Sequence, residues 1–346
     1  MNDRMSRAAL VCPGRGAYTS ASLGSLPADH ALVQRAEELR SDYDLEPLLS
    51  LDGADRFDPS RHLRPANASP LILLATLLDV ETAWRDHRVV AVAGNSLGWY
   101  SALAVAGALP FDDAFRLVQE LGLLQELAPP GAQVQSGGQL IYPLTDADWR
   151  PSADLATVVA DLLEDAAGWG DGHGRLYPSV DLGGYAVLAG AEAGIATALK
   201  RLPPLSVGAR LYPLRLAQHG PYHTPLVAHV AEAARATLAD LRWSAPQVTV
   251  IDGRGQRWTP WSTDPRDLRE YTLGEQLVTP YRFAGGIRVI LREYAPDLLV
   301  LPGPGNTLGG ICGQIAVDEG YHAIRARADF DAAQASGRPL VLSMRR

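Results

Sequence analysis

The chain has 346 residues, 47% of them hydrophobic and 20% charged, with a formal net charge of −8 at pH 7. That is ample for a buried core of one large or two modest domains; the acidic balance speaks against nucleic acid as a partner, while leaving room for a local basic patch. Two cysteines, Cys12 and Cys312, form neither a disulfide framework nor a metal-ligand spacing and read as small core residues, and no apolar run approaches the roughly 20 residues that cross a bilayer, so the expectation is a cytoplasmic protein with no metal and no membrane partner.

Along the chain, the apolar residues 8–12 running into Pro13-Gly14 predict a buried first strand and a tight turn, a break that precedes any signal-like apolar region. From Pro70 to about His87, Leu71, Leu73, Leu74, Leu77, Leu78, Val80 and Trp84 recur at helical spacing, and residues 89–93 then read as a short buried strand. A helix follows Ser96 to about Leu109, and Pro110-Phe111-Asp112-Asp113 opens an amphipathic one that reaches Leu127 before Pro129-Pro130-Gly131 stops it. Beyond that boundary, strands at 138–142, 186–188 and 211–216 with helices near 155–163 and 191–201 make a small α+β insert, in which the Gly/Asp-rich residues 168–174 form a surface loop. The α/β texture then returns: a helix around 226–241, a strand at 248–251, a helix before Tyr294, a strand at 298–301 entering Pro302-Gly303-Pro304-Gly305, and a last segment, 339–344, that closes the sheet.

The sharpest local signal is Gly94-Asn95-Ser96-Leu97-Gly98, a G-x-S-x-G sequence between a predicted strand and a predicted helix. In such an elbow the serine sits on a strained turn and the helix N-terminus aims amide N–H groups at a developing oxyanion, which makes Ser96 the candidate nucleophile; the plainer reading is a serine that caps the helix. A serine hydroxyl needs a base, and of eight histidines His223 stands where the insert re-enters the main domain, with His219 as its rival.

Four segments in order resemble the malonyl-CoA:acyl-carrier-protein transacylases and the acyltransferase domains of polyketide synthases. Pro13-Gly14-Arg15-Gly16 is similar to the family's PGQG, Gly94 to Gly98 with Trp99-Tyr100 to GHSLGEY, Tyr222-His223-Thr224-Pro225-Leu226 to FHSPLM, and Pro302-Gly303-Pro304-Gly305 to the C-terminal GPG turn. A fifth, Glu275-Gln276-Leu277 leading to Pro280-Tyr281-Arg282-Phe283, resembles a stretch that supplies a carbonyl to orient the histidine, which points to Gln276. The resemblance implies an α/β fold: an α/β-hydrolase-like large subdomain, residues 1–130 and 215–346, interrupted by a ferredoxin-like small subdomain, residues 131–214, with the active site between them. It also implies ping-pong acyl transfer from acyl-CoA to an acyl carrier protein through acyl-Ser96, with His223 as base, the backbone N–H groups of Arg15 and Leu97 as oxyanion hole, and no cofactor. The chain is expected to work as a monomer.

Family members that take malonyl units carry, after the nucleophile, a helical arginine that pairs with the substrate carboxylate. The matching position here is Leu121. A carboxylate without a partner in an apolar gorge is a buried, uncompensated charge, so a neutral acyl group is expected. Arg15 complicates this, because its guanidinium could reach the acyl pocket, contact a CoA phosphate or point to solvent. Asn95 for the usual His, Trp99 for the usual Glu and Ser69 for the usual Gln imply a diverged pocket lining. Two other functions fit the same residues: an editing hydrolase that clears carrier proteins with water as acceptor, and a carrier-binding module that only keeps the fold.

Overall fold

The computed structural model describes residues 5–127, 137–169 and 174–345. The predicted stop at Pro129-Pro130-Gly131 and the middle of the loop 168–174 lie outside them. The larger sheet has six strands in the order Arg257–Trp258, Val250–Ile251, Arg88–Gly94, Arg7–Cys12, Leu298–Leu301 and Val341–Ser343. All neighbours are parallel except the first pair, an antiparallel hairpin at the edge. Runs such as Ala8-Ala9-Leu10-Val11-Cys12 and Leu298-Leu299-Val300-Leu301 are apolar at every position because helices cover both faces of a parallel sheet.

The helix read from Pro70 begins five residues earlier and spans Pro65–Asp86. Pro65 fits the first turn, where its missing N–H has no intrahelical partner to lose. Pro70 then lies inside the helix and cannot donate to the carbonyl of Ala66. That carbonyl accepts instead from Arg40 Nη1 at 2.6 Å and Gln119 Nε2 at 3.1 Å. Arg40, 1% exposed, also donates to Asn67 Oδ1 and the Glu46 carbonyl, and burial pushes its pKa down to about 10. The helix after the elbow, Gly98–Val105, stops four residues short of Leu109, because Gly107 takes a left-handed conformation while Gly107 and Ala108 donate to the carbonyls of Ala104 and Leu103. The next helix, Phe111–Leu124, ends three residues before Leu127.

The smaller sheet is antiparallel, in the order Leu176–Asp181, Tyr185–Gly190, Gly138–Pro143 and Leu214–Arg215. Helices Ala153–Ala167 and Glu192–Arg201 complete a βαββαβ order, the ferredoxin-like arrangement, around a core of its own that includes Leu140, Tyr142, Leu162, Leu188 and Ile195. The single strand expected over 211–216 is divided at Pro213: Arg210–Tyr212 pairs with Leu205–Val207, and Leu214–Arg215 joins the sheet. Strand Leu176–Asp181 was not expected from sequence, because Pro178 interrupts its pattern, and the structure absorbs that proline as a register shift.

The two sheets meet at Tyr281. Its backbone pairs with Ser179 and Asp181 of the small sheet, at 2.8 and 2.9 Å, and its hydroxyl donates to the Gly94 carbonyl at the end of the strand before the elbow, at 2.6 Å. No helix among the described residues is long and apolar enough to cross a membrane.

Candidate active site

The elbow is a place where only glycine fits. A Cβ on Gly94 would stand 2.0 Å from the Gly98 carbonyl, and one on Gly98 would stand 2.2 Å from the carbonyl oxygen of Cys12. Between them Ser96 is held at a φ of +54°, a conformation that a non-glycine residue keeps only when its surroundings enforce it. The loop after the first strand packs backbone to backbone on this turn: Asn95 N donates to the Cys12 carbonyl at 3.0 Å, and a Cβ on Gly14 would stand 2.5 Å from the Asn95 carbonyl. Arg15 is thereby carried to the nucleophile's turn. Arg15 and Leu97 line the cavity that Ser96 lines, and among the described residues neither backbone N–H meets an acceptor.

His223 comes from the turn after the small sheet. Thr224 fixes that turn by donating to the Pro221 carbonyl and accepting from Leu226 N, with Pro225 in the first turn of the short helix that follows. His223 Nε2 lies 2.7 Å from Ser96 Oγ, and its Nδ1 lies 2.8 Å from the backbone carbonyl of Gln276. A carbonyl only accepts, so Nδ1 carries the proton and the Nε2 lone pair faces the serine hydroxyl. The imidazole is 3% exposed and its pKa is pushed down to about 4, chiefly by burial; the Gln276 carbonyl opposes this and the charge of Arg15 adds to it. The base is therefore neutral at neutral pH. The Gln276 side chain braces the elbow instead, with Oε1 accepting from Tyr100 at 2.7 Å and Nε2 donating to the Ser96 backbone carbonyl at 3.4 Å.

The cavity has a volume of about 300 Å³ and is walled on one side by the small sheet, with Ile141, Val180 and Val187 from its strands and Leu182 just past one, and on the other by Leu277 of helix Glu275–Val278 and by Leu308 and Ile311 at the start of helix Gly309–Asp318. Asn95 is in the wall. Three residues expected there are not, and each correction has a packing reason. Leu121 is 1% exposed in the core beneath helix Phe111–Leu124, and the residue of that helix end that reaches the cavity is Gln125, one turn on. Trp99 turns to the back of the elbow, where Nε1 donates to Thr272 Oγ1 at 3.1 Å and the ring stands edge-on to Tyr271. Ser69 is buried inside helix Pro65–Asp86.

Residues that the sequence reading missed are Gln125, Tyr222 and Tyr100. Arg15 Nη2 donates to Gln125 Oε1 at 2.5 Å, Nη1 donates to the Tyr222 hydroxyl at 3.3 Å, and the guanidinium lies over the Tyr222 ring, 4.9 Å from its centre. Tyr222 stood in a quoted motif, next to the histidine. His219, the rival base, also lines the cavity; its Nδ1 lies 2.8 Å from the Ala217 carbonyl and it makes no bond to Ser96. Among the described residues no group of three or more His, Cys, Asp or Glu could hold a metal ion.

No family model matches the chain. It is 27% identical over 349 residues to the malonyl CoA-acyl carrier protein transacylase of Haemophilus influenzae, covering 95% of this chain and 99% of that one. Among solved structures, an acyl-carrier-protein S-malonyltransferase from Burkholderia pseudomallei superposes with a TM-score of 0.70 at 25% identity, over 90% of this chain and 93% of that one. A malonyl-transacylase in complex with a type II polyketide synthase acyl-carrier protein shares the fold, with a TM-score of 0.73 at 21% identity over 99% and 96% of the two chains. A relative matched almost end to end, a shared fold and a G-x-S-x-G elbow whose serine meets a histidine from the other side of the cleft together make this chain similar, over nearly its whole length, to the malonyl-CoA:acyl-carrier-protein transacylases and the acyltransferase domains of polyketide synthases.

Proposed function

We propose that the protein moves an acyl group from a coenzyme A thioester to the thiol of an acyl carrier protein, by way of an ester on Ser96. One observation carries this: a neutral His223 with its proton on Nδ1, fixed by the Gln276 carbonyl, and its lone pair 2.7 Å from the Ser96 hydroxyl. In the first half-reaction the Ser96 proton passes to His223 Nε2 as the Oγ–acyl bond forms; the acyl–sulfur bond then breaks and the proton leaves with the CoA thiolate as thiol. In the second, the carrier thiol gives its proton to His223, its sulfur takes the acyl carbon, and the proton returns to Ser96 Oγ. The oxyanion of each tetrahedral intermediate is held by the N–H groups of Arg15 and Leu97; losing one such donor typically costs ~10²–10³ in rate.

The expectation of a neutral acyl group assumes a gorge without a cation. With Leu121 in the core, helix Phe111–Leu124 adds no charge, but Arg15 brings a guanidinium to the wall, so that assumption does not hold.

Intact-mass measurement after incubation with malonyl-, acetyl- and hexanoyl-CoA, beside Ser96→Ala, tests the reading. The expected result is an acyl adduct that persists without carrier protein, passes to a carrier thiol and is absent from the variant. An adduct that decays to free acid without carrier would make the protein an editing hydrolase, and no adduct from any donor would leave a carrier-binding module.

A further inference from the structure

Among the described residues the wall of the gorge contains no Asp or Glu, yet it contains two arginines, the exposed Arg210 and, beside the nucleophile's turn, Arg15. Other arginines of this chain meet carboxylates, as Arg64 does with Glu126 and Arg116 with Asp240. Arg15 pairs with none among the described residues; its partners, Gln125 and Tyr222, are neutral and take two of the five N–H donors of a guanidinium. A planar fork with donors to spare, in a largely apolar cleft, is a receptor for a planar anion. Its charge is felt at the base, where it helps to depress His223.

On the transacylase reading above, we infer that Arg15 determines which acyl groups are accepted, by pairing with a carboxylate at the far end of the acyl chain. The arginine comes from the loop after the first strand and is moored to Gln125, which lies one helical turn beyond Leu121. The cation therefore reaches the end of this helix from across the gorge, although the helix itself contributes only Leu121 at the position the sequence points to. A phosphate of coenzyme A or of the carrier's pantetheine is the other anion that such a fork binds. The mooring of this loop on the nucleophile's turn, Gly14 against Asn95, keeps the guanidinium within one side-chain length of that turn, the reach of a short acyl chain and not of a pantetheine arm.

Single-turnover loading of Ser96 is measured with malonyl-CoA and acetyl-CoA, and with the N-acetylcysteamine thioesters of both acids, which carry no phosphate. The wild-type protein is expected to favour malonyl in both series, and Arg15→Gln, which keeps the backbone N–H, to lower the malonyl-to-acetyl ratio by about a hundredfold in both. Arg15→Lys, which keeps the charge and loses the fork, is expected to give an intermediate ratio, and it carries the test if the glutamine variant does not fold. Equal loss of malonyl- and acetyl-CoA loading with no change for the N-acetylcysteamine esters would transfer Arg15 to a phosphate and overturn the inference. So would a wild-type preference for acetyl. A wild-type protein that forms no adduct with any donor would overturn the transacylase reading itself, an outcome distinct from both.

Discussion

Acid is expected to spare the loading step well below the pKa of an ordinary histidine. His223 has a pKa of about 4 where 6.5 is usual. Around its ring stand the Ser96 hydroxyl, the Gln276 carbonyl, the Tyr281 ring and the charge of Arg15, with no carboxylate among them. At pH 5.5 an imidazole with the usual value is about one-tenth neutral, whereas His223 is almost wholly neutral, so the loading rate exceeds by about tenfold what an unperturbed base would give. The assay is the burst of CoA release in a single turnover with acetyl-CoA, from pH 4.5 to 8, and Arg15→Gln should move the acid limb upward, since that charge lowers the pKa. The same shift has a stability counterpart. Between pH 6.5 and 4 the unfolded chain binds a proton that the folded one refuses, so this group lowers stability as pH falls through that window, by roughly 3 kcal/mol at pH 4, and contributes nothing above it. A limb centred near pH 6.5 would refute the reasoning.

Gly98→Ala should unfold or strongly destabilise the chain, by about 3 kcal/mol or more, because its Cβ meets the Cys12 carbonyl oxygen at 2.2 Å; a thermal melt reads this. Leu121→Arg should lower the melting point rather than recruit malonyl, since position 121 is buried away from the cavity and a lone buried charge costs roughly 3–5 kcal/mol. In Gln276→Leu the backbone carbonyl on His223 survives while the Tyr100 hydroxyl loses its acceptor, so denaturant melts should show a loss of about 1–3 kcal/mol and loading should fall far less than in His223→Ala.

Much of the fold is legible because its signals are local. Parallel strands buried on both faces appear as unbroken apolar runs, and the elbow is written in five consecutive residues because a Cβ at either end would stand 2.0 or 2.2 Å from a backbone carbonyl, which excludes all but glycine there. Two boundaries were misread although their signals were present: Pro65 opening a helix and Gly107 closing one. What the order of residues does not reveal is helix phase at short range and partnership at long range. Trp99 and Tyr100 are neighbours, yet one turns to Thr272 and the other to the cavity, and nothing local says which. Arg15, Gln125 and Tyr222 lie far apart in the chain, and their meeting depends on how the two sheets are set against each other.

The proline inside helix Pro65–Asp86 constrains how this chain can change over generations. Pro70 leaves the Ala66 carbonyl without its helical donor, and Arg40 answers it while also serving Asn67 and Glu46. Loss of Arg40 first would strand several buried acceptors at once, a step that selection removes. Replacement of Pro70 first supplies the missing N–H and relaxes the demand on the arginine. Asn67, Gln119 and Glu46 still depend on Arg40 after that change, so of the two positions the proline is the freer to drift and the arginine the one held in place.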